Sequence, residues 1–104
     1  MKTLILSLLL LFSAVVEAGS ATLTWTAPTR NSDGTALTNL AGYELQYRKK
    51  GVLAWTTIKI ANPGARTRTI YGLTRATWQF RMKSYNNVGV RSLPTGIVSK
   101  WIAS

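Results

Sequence analysis

Apolar and polar residues alternate with a period of two along most of the chain beyond residue 20. The alternation is clearest from Ala21 to Thr26, from Tyr43 to Arg48 and from Trp78 to Tyr85. Successive side chains of a β-strand point to opposite faces, so this period predicts strands that bury one face. No segment beyond residue 20 shows the 3.6-residue period of an amphipathic helix. The pattern therefore predicts an all-β domain.

Six short strands are predicted, separated by turn-forming residues such as Asp33-Gly34 and Asn62-Pro63-Gly64. They cover residues 21–26, 43–48, 55–60, 66–71, 78–85 and about 95–101. Their inward positions and one corner residue form the predicted core: Trp25, Tyr43, Leu45, Ile70, Leu73, Trp78 and Phe80. Strands of this length and spacing favour an antiparallel sandwich, with a small barrel as the alternative.

The first 18 residues have the features of a signal peptide. Lys2 supplies a positive start, the segment from Leu4 to Val16 is apolar apart from two serines, and Val16-Glu17-Ala18 places small residues where a signal peptidase cleaves. A retained transmembrane anchor is the weaker alternative, because the apolar segment is shorter than the roughly 20 residues that span a bilayer. We expect cleavage after Ala18, a domain of residues 19–104 without a stable membrane span, and a secreted or periplasmic location.

The composition argues against catalysis. The chain has no His, no Cys and only three acids, Glu17, Asp33 and Glu44, whereas acid–base, nucleophilic and metal catalysis draw mainly on those residue types. We expect no enzymatic activity, no metal and no cofactor. Glu44 is expected to pair across strands with Arg81 or Lys83. The formal charge of +10 favours anionic partners, although scattered basic residues also serve solubility.

Three motifs in order resemble a fibronectin type III domain of the kind found in exported bacterial and phage proteins. They are Trp25-Thr26-Ala27-Pro28, the Leu-x-x-Tyr-x-Leu-x-Tyr run from Leu40 to Tyr47, and the corner from Leu73 to Phe80 that leads to Asn87-x-Gly89. The resemblance covers nearly all of the predicted mature chain. It implies an immunoglobulin-like antiparallel β-sandwich of six to seven strands.

Two features depart from that family's pattern. Trp78 stands where the family has a Tyr whose hydroxyl bonds back to the backbone, so only an indole N–H is left to make a substitute bond. After cleavage only Gly19 and Ser20 would precede Ala21, and the family's first strand would be missing unless an uncleaved N-terminus supplied it. The Trp25 strand would then be an exposed edge, which suggests self-association or docking by strand addition.

The resemblance implies a spacer, an adhesion unit or a protein-binding scaffold. We predict an exported, non-catalytic binding module that contacts an anionic polysaccharide or another anionic cell-surface polymer, or a protein. Outward strand positions and adjoining loops predict its basic face: Arg48, Lys49, Lys50, Arg81, Lys83, Tyr85 and Arg91. Basic groups near an exposed Tyr suit such a polymer. Nucleic acid is disfavoured, because no nucleic-acid motif is present and the protein is predicted to be exported.

Two questions stay open at this point. A phage virion decoration or a structural spacer without a specific ligand would need the positive charge only for solubility or adherence. Strand phase leaves the direction of Trp55 and Trp101 undecided. A Trp in so small a domain is more often a core residue, but exposure of both on one face would favour carbohydrate binding.

Overall fold

The computed structural model describes residues 12–29 and 35–103, and seven β-strands form within them. The strands are β1 (Phe12–Glu17), β2 (Ser20–Trp25), β3 (Leu40–Lys49), β4 (Thr56–Ile60), β5 (Thr67–Ile70), β6 (Ala76–Asn86) and β7 (Val98–Ile102). The predicted Asp33-Gly34 turn lies outside the described residues. Within those residues there is no helix of the length and hydrophobicity needed to cross a membrane.

The strands form two antiparallel sheets that pack face to face. One sheet has the order β1-β2-β5, and the other has the order β4-β3-β6-β7. Residues from both sheets meet in a single hydrophobic cluster. This arrangement confirms the predicted all-β, immunoglobulin-like sandwich. The small barrel is excluded, because the strands form two separate sheets.

The core lies where the inward faces of β2, β3, β5 and β6 meet. Of the seven residues predicted there, Trp25, Tyr43, Leu45, Ile70, Leu73 and Phe80 are buried, and Trp78 is partly buried against them. The Trp25 and Tyr43 rings pack edge to face with their centroids 5.4 Å apart. The Tyr43 hydroxyl donates to the Pro63 carbonyl (3.1 Å) and accepts from Arg66 Nη1 (3.3 Å). Burial raises the pKa of Tyr43, and the positive charge of Arg66 partly opposes that rise.

The first strand of the sandwich is present, and it comes from the segment predicted to end the signal peptide. β1 pairs with β2 from Phe12 opposite Trp25 to Glu17 opposite Ser20. Ala14 is buried, and Val16 packs against the core. In the chain with β1 attached, the Trp25 strand is therefore not an edge. Cleavage after Ala18 stays a prediction, and it would remove this strand.

The last strand starts later than the predicted Thr95. Pro94 has no N–H to donate to a ladder, and hydroxyl groups on either side of it replace regular strand pairing. Thr95 Oγ1 accepts from the Met82 N–H (3.0 Å), and Ser92 Oγ accepts from the Ser84 N–H (2.9 Å). The backbone N–H groups of inner strand β6 thus keep their partners where regular pairing is absent.

Trp78 closes the corner where the resembled family uses a Tyr. Its indole N–H donates to the Thr74 carbonyl four residues earlier (2.8 Å). The ring packs against Tyr47 with centroids 6.0 Å apart, and Lys49 Nζ lies 5.9 Å from its centroid. The indole therefore makes the side-chain-to-backbone bond that a Tyr hydroxyl would otherwise make.

We expect Trp78→Phe to lower the free energy of unfolding by about 1 kcal/mol, because the aromatic ring remains while its hydrogen bond to Thr74 is lost. Urea denaturation followed by circular dichroism measures this change. Trp101→Phe is the matched control, because Trp101 is 58% exposed and lies outside the core. Equal effects from the two substitutions would contradict the role given to the corner bond.

Candidate functional site

The outward surface of the four-stranded sheet carries most of the basic residues predicted to bind a ligand. The β3–β6 ladder places Gln46 opposite Arg81 and Glu44 opposite Lys83, with their side chains on the same surface. We call this surface the outer face. It consists of Glu44, Gln46, Arg48, Trp55, Thr57, Lys59, Gln79, Arg81, Lys83, Tyr85, Ser99 and Trp101, with Arg91 at its margin.

Trp55 lies between β3 and β4 and packs against two arginines of the outer face. The guanidinium carbon of Arg48 is 4.0 Å from the Trp55 ring centroid, and that of Arg81 is 4.3 Å from it. Both distances are well within the range of cation–π attraction, and Arg is the cation most often found in such pairs. Trp55 itself is partly exposed. It thus holds two positive groups together at the solvent boundary.

Glutamine side chains hold both arginines in place. Arg48 Nε donates to Gln79 Oε1 (2.9 Å), and Arg81 Nε donates to Gln46 Oε1 (2.7 Å). Gln46 in turn donates to Thr57 Oγ1 (3.1 Å). A network that fixes rotamers in advance lowers the entropy lost when a ligand binds. This arginine stack, which consists of Arg48 and Arg81 against Trp55, is therefore preorganised, and neither arginine has an acidic partner within the part of the chain that the structure describes.

The charge around this stack is almost entirely positive. Among the residues that the structure describes, Glu17 and Glu44 are the only acids, and the single ion pair joins Glu44 to Arg91. Partial burial lowers the pKa of Arg81, and the positive charge of Arg48 lowers it further. Arginine stays protonated in proteins. The two guanidinium groups consequently repel each other, and a bound anion would relieve that repulsion.

A pocket of about 290 Å³ opens at the end of the outer face that carries Tyr85. Glu44, Lys59, Tyr85 and Arg91 supply its charged and aromatic lining. Arg91 Nε donates to Glu44 Oε1 at 2.8 Å, and this carboxylate raises the pKa of Arg91. The register places Glu44 opposite Lys83, one of the two predicted partners, but the ion pair of Glu44 is formed with Arg91 instead. The loop after β6 brings Arg91 to Glu44, while Gln46 and Trp55 hold Arg81 elsewhere.

Tyr85 lies on the outer face, but it is only 9% exposed, so its description as an exposed ring was wrong. Its ring lies across Gly42, where a Cβ atom would come within 2.9 Å of the ring and would also collide with the Ile60 carbonyl. Lys59 Nζ lies 5.2 Å from the ring centroid. Tyr85 therefore forms a wall of the pocket rather than a free stacking platform.

The structure does not bring all of the predicted basic residues together. Arg48, Arg81 and Lys83 share the outer face, and Arg91 joins them from the loop after β6. Lys49 has the opposite strand phase and lies near Trp78 instead. Lys50 lies in the turn after β3, where its N–H donates to the Thr77 carbonyl (2.9 Å). The basic face is therefore smaller than the sequence suggested, because Lys49 and Lys50 are not part of it.

Other members of the outer face were not identified from the sequence as binding residues. Trp101 is 58% exposed on β7 and has the Arg75 guanidinium carbon 6.0 Å from its ring centroid. Trp55 and Trp101 thus both lie on the outer face, but only Trp101 is exposed, so the condition that favours carbohydrate binding is met in part. Gln46 and Gln79 occupy outward positions of the alternating pattern, and that pattern does not indicate their bonds to the two arginines. Lys59 gave no signal beyond its position in a short strand.

The comparisons with known proteins support the fold. No protein-family model and no curated protein sequence matches the chain. A structure of the FN1–FN3 domains of chicken CNTN1 matches with a TM-score of 0.80 and 10% identity over 97% of this chain and 33% of that chain. Domains A168–A170 of titin match with a TM-score of 0.74 and 19% identity over 96% and 33%. A β-1,2-glucanase from Parabacteroides distasonis matches with a TM-score of 0.70 and 10% identity over 99% and 13%.

These similarities show that the chain has a fibronectin type III-like fold, as its motifs indicated. It spans about a third of the CNTN1 and titin chains and a much smaller part of the glucanase chain. Domains of this fold are commonly non-catalytic binding or spacer modules. At such identities the similarity carries the fold and no particular ligand.

We expect Gly42→Ala to destabilise the domain by about 1 to 3 kcal/mol, because the added methyl group would overpack the Tyr85 ring and the Ile60 carbonyl. Thermal unfolding measures the change. Gly96→Ala is the control, since a Cβ there meets nothing within 4 Å. A Gly42→Ala domain as stable as this control would show that Tyr85 does not lie across Gly42.

Proposed function

We propose that this chain is an exported, non-catalytic binding module that contacts an anionic cell-surface polysaccharide through its outer face. The observation that carries the proposal is the pair Arg48 and Arg81, held against Trp55 with no carboxylate partner among the described residues. A positive site fixed in this way is prepared for an anion supplied from outside the domain.

The chemistry of the stack suits sulfate or carboxylate groups on a sugar. A guanidinium offers a planar set of donors that matches such groups in a bidentate manner. Aromatic rings at the surface pack against the apolar face of a sugar, and Trp101 is an exposed ring on the outer face, whereas the Trp55 ring is already packed against the two guanidinium groups. The proposed ligand therefore combines negative charge with a ring that can stack.

The spacing of the positive groups suits a polymer better than a single anion. Arg81 and Lys83 are two residues apart on β6, which corresponds to about 7 Å along a strand. Lys59 continues the positive surface toward the pocket, where the charge of Arg91 is offset by Glu44. A chain with a charge on each repeat can contact several of these groups together, and each contact displaces counterions.

A spacer without a ligand is the second candidate function. The observation in its favour is that the CNTN1 and titin structures each contain several domains and that this chain spans about a third of either one. In a spacer, the positive charge would serve only solubility. A protein partner with an acidic surface would use the same outer face.

We expect Arg81→Gln to weaken binding to a sulfated polysaccharide several-fold and to reduce the slope of log affinity against log salt by about 1, because one ionic contact is lost. Calorimetric titration at several salt concentrations measures both quantities. Arg68→Gln is the matched control, because it removes the same charge from β5 in the other sheet.

The two candidate functions give different results in this experiment. A polysaccharide-binding module is expected to bind sulfated and carboxylated chains at low salt and to release them at high salt. A neutral polysaccharide is expected to bind much more weakly. Absence of binding to every polyanion would favour the spacer. Equal losses from Arg81→Gln and Arg68→Gln would show diffuse attraction without a specific face.

A further inference from the structure

The predicted processing site coincides with a structural junction. The bond between Ala18 and Gly19 lies in the two-residue turn that joins β1 to β2, and Glu17 pairs with Ser20 across that turn. Gly19 is attached to the rest of the sandwich by two backbone hydrogen bonds. Its N–H donates to the Ala103 carbonyl (2.7 Å), and its carbonyl accepts from the Leu73 N–H (2.9 Å). Cleavage there would release β1 and leave the start of β2 attached to the sandwich.

Removal of β1 would leave one side of β2 without partners. The Trp25 N–H donates to the Arg66 carbonyl (3.0 Å) on the β5 side. Backbone groups alternate along an antiparallel strand, so those of Thr22 and Thr24 face β1. The places of Ala14 and Val16 beside the core would also be empty. An unpaired edge next to an apolar slot favours the addition of another strand.

The inward residues of β2 are similar in kind and spacing to those of the strand it would lose. β1 contains Ser13-Ala14-Val15-Val16, and β2 contains Ser20-Ala21-Thr22-Leu23. If two β2 strands pair antiparallel about a two-fold axis at Thr22, Ala21 of one copy lies opposite Leu23 of the other. In the intact chain Ala14 lies opposite Leu23, and Val16 lies opposite Ala21. The second copy thus offers Ala and Leu at the places of Ala14 and Val16.

The side chains of β2 favour pairing with a second copy of β2 over pairing with an acidic strand of another protein. β2 has no charged side chain, so two copies bring no like charges together along it. Its outward residues are Ser20, Thr22 and Thr24, which would form one Thr22–Thr22 pair and two Ser20–Thr24 pairs, and such hydroxyl pairs across strands are favourable. Uncharged segments of high β-propensity without Pro pair readily with copies of themselves.

We propose that signal-peptidase hydrolysis of the Ala18–Gly19 bond opens the β2 edge and that β2 of a second copy then occupies the place of β1. Water supplies the hydroxyl of the new Ala18 carboxyl group and a hydrogen of the new Gly19 amine. The product is a two-fold dimer in which the strands run β5-β2-β2-β5. This proposal rests on the predicted cleavage and does not depend on the polysaccharide ligand.

The test uses the full chain, produced in a bacterium and recovered after export. Mass spectrometry of the purified protein is expected to identify Gly19 as the first residue. Sedimentation velocity over a range of concentrations is expected to show a reversible dimer. A chain that still carries β1, or a processed chain that stays monomeric at high concentration, would overturn the proposal.

Two substitutions at the two-fold axis test the register. Thr22→Lys and Thr22→Glu each place like charges opposite one another, and each is expected to weaken the dimer on the order of tenfold. A mixture of the two variants is expected to form a heterodimer, because opposite charges then face each other. A dimer unaffected by either substitution, or a mixture that does not associate, would overturn the proposed pairing.

The Thr22 hydroxyl also bonds Thr69 Oγ1 (2.9 Å), and the Thr22 variants lose this bond. If they do not fold, a substitution at Thr24 tests the pairing instead. Thr24→Pro removes an N–H that faces the β1 side, and edge strands tolerate Pro. With a native circular dichroism spectrum, this variant is expected to be monomeric, whereas Thr24→Ser is expected to remain dimeric. A Thr24→Pro dimer as stable as that of Thr24→Ser would overturn the proposal.

Discussion

The antiparallel pairing of β3 with β6 determines the rest of the architecture. It runs without a break from Gly42 opposite Tyr85 to Lys49 opposite Trp78. Because side chains alternate, the same register sends Leu45 and Met82 into the core and brings Gln46 beside Arg81 on the outer face. A slip of one residue would exchange core and solvent positions along the strand. Fold and candidate site therefore depend on one ladder.

Much of this ladder could be predicted from the sequence, because a period of two states directly which side chains share a face. The inward direction of Phe80 and the outward direction of Arg81 follow from it. The position of Trp55 does not, since Trp55 precedes β4 in a loop and its direction depends on contacts with arginines from two other strands. The Glu44–Arg91 ion pair was equally hidden, because it depends on the path of a loop.

The N-terminal segment shows a different limit of sequence reasoning. The run Ala14-Val15-Val16 is apolar enough for a signal peptide and β-branched enough for a strand, so one pattern satisfies two physical demands. The structure shows how it fits as β1, with Ala14 buried and Val16 packed against the core. In an exported and cleaved chain, the same segment would instead act as the end of the signal peptide. Which strand borders β2 therefore depends on processing, whereas the outer face depends on the opposite sheet.

The central claim is that Arg48, Arg81 and Trp55 form one anion-binding surface. The most direct measurement is nuclear magnetic resonance titration of the isotopically labelled domain with a short sulfated oligosaccharide. If the three residues form one surface, the Trp55 indole N–H and the Nε–H signals of Arg48 and Arg81 are expected to shift together and to saturate at the same ligand concentration. Shifts centred on Arg68 and the β1-β2-β5 sheet, with these three signals unchanged, would contradict it.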